Sequence, residues 1–359
     1  MSGAVAALPA GVEAAEVATS RLRTNVLRAG PASAPVLVLV HGNVSSARFF
    51  AEIMAVLGRR YHCVAPDLRG FGASAPAPVA AQRGVRDFAD DLHALLTETG
   101  LLGRPVHLLG WSLGGGVALQ YAIDHPGTVA SIVLESPMSP FGFGGTRDLA
   151  GTPCWPDYAG SGGGTASPEM IRRIAAGDTG ADDPTSPRNV LTSLYVKPPA
   201  QFPPGVEDAL VGEMLAMALG DGNYPGDQVA SANWPGTGPG RQGVNNAISP
   251  KFCDLSGFAG IPDRPGVLWL RGDSDQIVSD TSLVDLGHLG ALGAIPGWPG
   301  PDVYPAQPMV GQVRAVLDRY QAAGGQYTEH VLANCGHSPH LEFPGEFESA
   351  VAGFLNAQG

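Results

Sequence analysis

The chain has 359 residues, room for one large core with an insertion or for two domains. Gly and Pro are abundant, at 50 and 32 residues, yet 44% of the chain is hydrophobic and only 15% charged, which argues against a disordered polymer and assigns these residues to loops. The formal net charge of −12, without any Lys/Arg cluster, argues against a nucleic-acid or anionic-membrane surface and leaves a neutral or small organic partner.

Cys63, Cys154, Cys253 and Cys335 form no CxxC pair and no tight framework, so they read as free thiols in a reducing compartment. The N-terminal "MSGAVAALPAGVEAAEVATS" has no basic residue before Arg21 and is interrupted by Pro9, Glu13 and Glu16. It is a poor secretory signal, and a cytoplasmic location is expected. The uncharged run from Pro105 to Ile123 has the length of a membrane span, but it contains Gly110 and Gly114 to Gly116 and changes periodicity midway. It reads as strand, turn and helix, with no membrane contact.

In chain order, "APVLVLVHG" is a fully buried strand, because Val36 to Val40 are continuously apolar. "SSARFFAEIMAVLG" carries a helical pattern, and "HCVAPDLRGFG" is a second strand ending in a Gly-rich loop. "VRDFADDLHALLTETG" follows as a helix, with Phe88, Leu92, Leu95 and Leu96 on one face. "PVHLLG" and "VASIVLES" are strands flanking a helix that begins near Leu113. Then come the strand "GVLWLRGDSD", a helix with Val313, Val316, Leu317 and Tyr320, the strand "YTEHVLANCGH", and a last helix with Phe347, Val351, Phe354 and Leu355. Buried strands alternating with amphipathic helices predict an α/β fold with a mostly parallel central sheet and helices on both faces. Between "VLES" and "GVLWL" lies a Gly/Pro-dense stretch with one convincing helix, "GVEDALVGEMLAMALG", and no strand alternation. The expected organisation is a core in two parts, residues 1–138 and 264–359, around an inserted cap or lid at 139–263. A second irregular segment, "LGHLGALGAIPGWPGPDVYPAQP", should lie on the same rim, since loops after parallel strands leave from the carboxyl edge of the sheet.

The chemistry is concentrated in "HLLGWSLGGG". "GWSLG" matches GxSxG with an apolar strand before it and a helical pattern after it, the context in which this motif presents a nucleophile. Such a sharp turn holds Ser112 in a strained conformation, and Gly110 and Gly114 are small because a side chain would collide with neighbouring backbone. A serine needs a base, and the base needs an orienting acid. His337, in "NCGHSPHLEFP", follows the last strand on a loop; His340 is its near rival. For the acid, "RGDSDQIV" offers Asp273 and Asp275, and Glu135 ends another strand. Asp275 is preferred because it lies beyond the Gly272 turn and just before the anchoring pair Ile277 and Val278. Asp273 then reads as a turn-capping carboxylate and Glu135 as a strand-end surface charge.

The order Ser112, Asp275, His337, with "VLVHGN" and "DLRGFGAS" upstream and "GHSPHLEFPGEF" near the end, resembles the α/β-hydrolase superfamily. The nearest branch includes epoxide hydrolases, haloalkane dehalogenases and many esterases and lactonases. The resemblance covers roughly Arg21 to Met138 and Pro265 to the C-terminus, and not the cap. Epoxide hydrolases and dehalogenases of that branch carry aspartate where this chain has Ser112, so the resemblance implies an acyl-enzyme instead of an alkyl-enzyme. It also implies an oxyanion hole built from the backbone N–H groups of Leu113 and Asn43.

The implied activity is hydrolysis of a carboxylic ester or lactone of a hydrophobic small molecule. Tyr195, Phe202, Met214, Met217, Tyr224 and Trp234 are candidates for lining an apolar pocket, although such side chains on a cap more often form its own small core. Thioesterases, carbon–carbon hydrolases and acyltransferases use the same triad, and a ligand receptor without turnover could be built on the same fold. No HExxH, Walker-type loop or dinucleotide fingerprint stands in the right context, so no metal or organic cofactor is expected. The Gly-rich "GFGGTRD" reads as a flexible hinge into the cap.

Overall fold

The computed structural model describes residues 7–199 and 201–358, so the start of the Ala-rich N-terminal stretch lies outside the described residues. The chain opens with an antiparallel pair, β1 (Val12–Ala18) and β2 (Arg23–Ala29). Neither strand is anticipated above. β1 reads VEAAEVA and leaves most positions at the surface, so it carries too little apolar signal. β3 (Val36–Val40) is buried at every position and feeds, through a 3-10 turn, α1 (Ala51–Leu57). β4 (His62–Pro66), α2 (Arg86–Glu98), β5 (Val106–Trp111), α3 (Leu113–Asp124) and β6 (Val129–Glu135) then follow.

Residues 139–263 separate β6 from the next strand of the core sheet. They hold more structure than their composition suggests. α4 (Pro168–Ala175) is capped by the Ser167 hydroxyl and starts on a proline, and α5 (Pro187–Val190) runs into a π turn at Leu191–Tyr195. α6 (Val206–Leu215) is the helix expected from the sequence. Two small ribbons, β7 (Leu219–Gly220) with β8 (Tyr224–Pro225) and β9 (Gln228–Ala230) with β10 (Thr237–Pro239), precede the single turn α7 (Val244–Ala247). The core resumes with β11 (Gly266–Gly272), the short α8 (Leu286–Ala291), α9 (Met309–Ala322), β12 (Tyr327–Leu332), the turn α10 (Pro339–Glu342) and α11 (Pro344–Asn356).

The eight core strands form one sheet in the order β1-β2-β4-β3-β5-β6-β11-β12. β1 and β2 are antiparallel to their neighbours, and every pairing from β4 to β12 is parallel. Parallel strands end on one edge, so the loops after β3, β5, β6, β11 and β12 all emerge together. The segment 286–308 also lies against the insertion: Trp234 donates to the Pro296 carbonyl at 2.9 Å, and the Tyr304 hydroxyl to the Gly160 carbonyl at 3.0 Å. "GFGGTRD" is no flexible hinge. Gly144 N donates to Gln307 Oε1 at 2.7 Å, Gln307 Nε2 to the Gly142 carbonyl at 3.0 Å, and Gln312 Nε2 to Thr146 Oγ1 at 2.9 Å. The buried amide side chains of Gln307 and Gln312 thus hold this loop in place. Among the described residues no helix is long and apolar enough to cross a membrane, and all four cysteines are free and buried.

Candidate active site

Ser112 stands between β5 and α3 with φ 55° and ψ −118°, a region that non-glycine residues seldom occupy. Its backbone is held on both sides: Ser112 N donates to the Glu135 carbonyl at 2.9 Å, and its carbonyl accepts from Gly115 N and Met138 N, each at 3.0 Å. The glycines are required by contact, since a Cβ at Gly110 would overlap the Gly114 carbonyl and one at Gly114 would overlap the Val40 carbonyl. α3 therefore sits directly against the carboxyl ends of β3 and β5.

His337 and Asp275 meet although 62 positions separate them: His337 Nδ1 lies 2.8 Å from Asp275 Oδ2, and both side chains are almost completely buried. The other carboxylate oxygen of Asp275 accepts from Ile277 N at 2.8 Å and Val278 N at 3.0 Å. A carboxylate so bonded stays aimed at the ring and fixes the tautomer, with Nδ1 donating and Nε2 available. Among the described residues Nε2 makes no hydrogen bond, and the segment that carries Ser112 is tied to the His337 loop through Trp111. The indole of Trp111, next to Ser112 in the chain, donates to the His337 carbonyl at 2.9 Å, and the two rings lie 5.6 Å apart.

Asn43 follows β3 on the loop that faces Ser112, where a Cβ on Gly42 would come within 3.1 Å of Ser112 Cβ. Leu68 N donates to His41 Nε2 at 2.9 Å, which leaves the His41 proton on Nδ1, 2.8 Å from the Gly42 carbonyl. Complete burial lowers the pKa of His41, keeping this loop-fixing ring neutral. Leu113 opens α3, where first-turn N–H groups have no partner within the helix.

The two rivals considered for these roles find each other. His340 Nδ1 lies 2.7 Å from Glu135 Oε1, which also accepts from His340 N at 2.9 Å, and both side chains are fully buried. Glu135 is thus a core carboxylate, and its reading as a strand-end surface charge is corrected: the turn after β12 delivers an imidazole and an amide onto it. Asp273 ties two loops together, accepting from Asn334 N at 2.9 Å and Ser274 Oγ at 2.8 Å. Of the proposed pocket residues, Tyr195, Met214, Met217 and Tyr224 are buried in the main core cluster, Phe202 packs partly buried against it, and Trp234 stacks edge-on with Tyr304.

Glu342 escapes the sequence reading. Its carboxylate accepts from Gly336 N at 2.9 Å and Lys197 N at 2.8 Å, clamping the loop that carries His337, and burial raises its pKa. Its place within "GHSPHLEFP" is the one signal that could have singled it out.

Residues 35–160, which include β3, the Ser112 turn and β6, match the family model described as "alpha/beta hydrolase fold". The chain has the α/β-hydrolase fold. The chain is 38% identical over 102 residues to the magnesium-chelatase 30 kDa subunit of Rhodobacter capsulatus, covering 28% of this chain and 34% of that protein. It is 33% identical over 105 residues to a fluoroacetate dehalogenase of Burkholderia sp., again 28% and 34% of the two chains. The chain thus spans about a third of the length of these curated relatives. Over its whole length it superimposes on the crystal structure of an esterase from Rhodococcus sp. ECU1013, with a TM-score of 0.57, 20% identity, and coverage of 97% of this chain and 100% of that one. At that identity the likeness speaks for the fold.

Proposed function

We propose that this chain is a serine hydrolase that cleaves a carboxylic ester or lactone of a hydrophobic small molecule through an acyl-enzyme. The observation that carries the reading is the buried His337–Asp275 pair, at 2.8 Å, beside a serine held at positive φ. Residues 139–263 act as the cap, with residues 1–138 and 264–359 as the two parts of the core. His337 Nε2 takes the Ser112 proton as Oγ bonds to the carbonyl carbon, while Asp275 stabilises the charged ring. The oxyanion is met by the N–H groups of Leu113 and Asn43. The tetrahedral species collapses, and the alkoxide leaves with the proton from His337. A water then gives its proton to His337, attacks the acyl carbon, and the acid departs as Ser112 recovers its hydrogen.

A hydroxyl nucleophile supports this reading over dehalogenation, because an ester of serine with an acid is readily hydrolysed whereas an alkyl ether on serine is not. The test is turnover of p-nitrophenyl esters of increasing chain length. Sustained turnover that disappears in Ser112→Ala is expected; at most one event per molecule, with ligand still bound, would instead point to a receptor on the same fold.

A further inference from the structure

The two N–H groups assigned to the oxyanion are not equally supported by the core. Leu113 is the first residue of α3, and the helix itself fixes its N–H direction. Asn43 sits on the loop after β3, followed by Val44 at φ 49°, a conformation that β-branched residues strongly resist. Something must hold it. Tyr195 Oη donates to the Asn43 carbonyl at 2.7 Å, and Asn43 Nδ2 donates to Asn245 Oδ1 at 3.0 Å. The remaining side-chain atom, Asn43 Oδ1, accepts from Val44 N at 3.1 Å. Every polar group of Asn43 is thereby committed except its own backbone N–H, which makes no hydrogen bond among the described residues.

Both outside partners come from residues 139–263. We infer that the oxyanion site is completed from this insertion: Tyr195 and Asn245 are positioning residues that orient Asn43, and the catalytic machinery is whole only while the insertion is seated. The inference rests on the serine-hydrolase reading above and deepens it. Tyr195 is suited to the task, because its ring packs near Phe49, Trp111 and His337, at 6.1, 5.7 and 6.0 Å between centroids, so the phenol cannot swing. Burial raises its pKa, so the group is a neutral donor at all ordinary pH. The same strap reaches the other two catalytic loops: Lys197 Nζ donates to Ser274 Oγ at 3.0 Å, beside Asp275, and to Asn334 Oδ1 at 3.1 Å, at the start of the His337 loop. One short segment thus touches the oxyanion, acid and base loops alike.

The test uses full-length wild type, Tyr195→Phe and Asn245→Ala, with Ser112→Ala as control, on p-nitrophenyl acetate and longer esters. Tyr195→Phe keeps the ring and removes only the hydroxyl. Loss of donor alignment predicts a fall in kcat of about tenfold or more with KM within about threefold, since a misaligned oxyanion donor weakens the transition state and not the ground state. Amide hydrogen exchange across 42–46 should also quicken in both variants, a readout independent of turnover. The inference is overturned if Ser112-dependent turnover is present but Tyr195→Phe leaves kcat within about twofold, or changes KM alone in step with acyl length, which is what a mere pocket wall would do. Absence of Ser112-dependent turnover in the wild type is a separate result: it removes the serine-hydrolase reading and the inference with it.

Discussion

Ser112 adopts φ 55° and ψ −118° because β5 must hand over to α3 within a single residue while β3 and β6 crowd both sides. That geometry was legible from "GWSLG" and its flanks, and so was His337, from its loop after the last strand. The carboxylate that pairs with His337 was harder to pick out, since Asp273, Asp275 and Glu135 all lie at strand ends of the sheet. What separates them is partnership. Asp275 holds His337, while Glu135 holds His340 in a sealed pair. Asp275→Asn is therefore expected to lower kcat by about 10⁴ through the wrong tautomer, whereas Glu135→Gln, which keeps an acceptor for His340, should stay within about tenfold in kcat. Steady-state kinetics on one ester compares them directly, and collapse of Glu135→Gln with survival of Asp275→Asn would reverse the assignment. Tyr195 and Asn245 could not be read from the sequence: they meet Asn43 across 152 and 202 positions, and no local pattern encodes such a contact.

The elements that were easiest to read are those buried on both faces, such as β3 and β5, whose apolar runs are continuous. β1 and α4 were missed for the opposite reason. One is mostly exposed, and the other is two turns long, with Arg172 and Arg173 dominating its composition. The elements also differ in how charge supports them. Arg69, on the loop after β4, is buried and grips Asp91 of α2 at 2.6 and 2.7 Å, with a third bond to the Pro78 carbonyl at 2.7 Å. Arg69→Leu leaves Asp91 without its buried, bidentate partner and should destabilise the fold by about 3 kcal/mol, measured by urea unfolding. An unchanged midpoint would show that Arg21, which also reaches Asp91 at 2.5 Å, suffices. α6 supplies a case of opposite sign. Burial raises the Glu213 pKa, so the folded state takes up this proton before the unfolded chain does. Ionised Glu213 thus opposes folding at neutral pH, and the penalty fades as pH falls through its folded pKa toward the unfolded value of about 4.5. Glu213→Gln should raise the unfolding midpoint at pH 7, with a gain that shrinks by pH 4. A gain that persisted or grew at pH 4 would contradict the assignment.

For the molecule as a whole, the parallel run from β4 to β12 brings segments more than 200 residues apart to one edge, and the insertion is laid across that edge. The order of strands and helices made the α/β core predictable. The inner structure of the insertion was not, because its fold depends on tertiary bonds to the core: Val79 N donates to the Gly222 carbonyl at 2.8 Å and Gly243 N to the Val79 carbonyl at 2.9 Å, between stretches with little periodicity of their own. The central claim is that this assembly makes one hydroxyl reactive. The most direct measurement is stoichiometric labelling with a fluorophosphonate, read by peptide mass spectrometry in wild type, Ser112→Ala and Asp275→Asn. The account predicts one label per chain on the peptide containing Ser112, absent in Ser112→Ala and far slower in Asp275→Asn. Labelling of another serine, or labelling of Ser112 at an unchanged rate in Asp275→Asn, would contradict it.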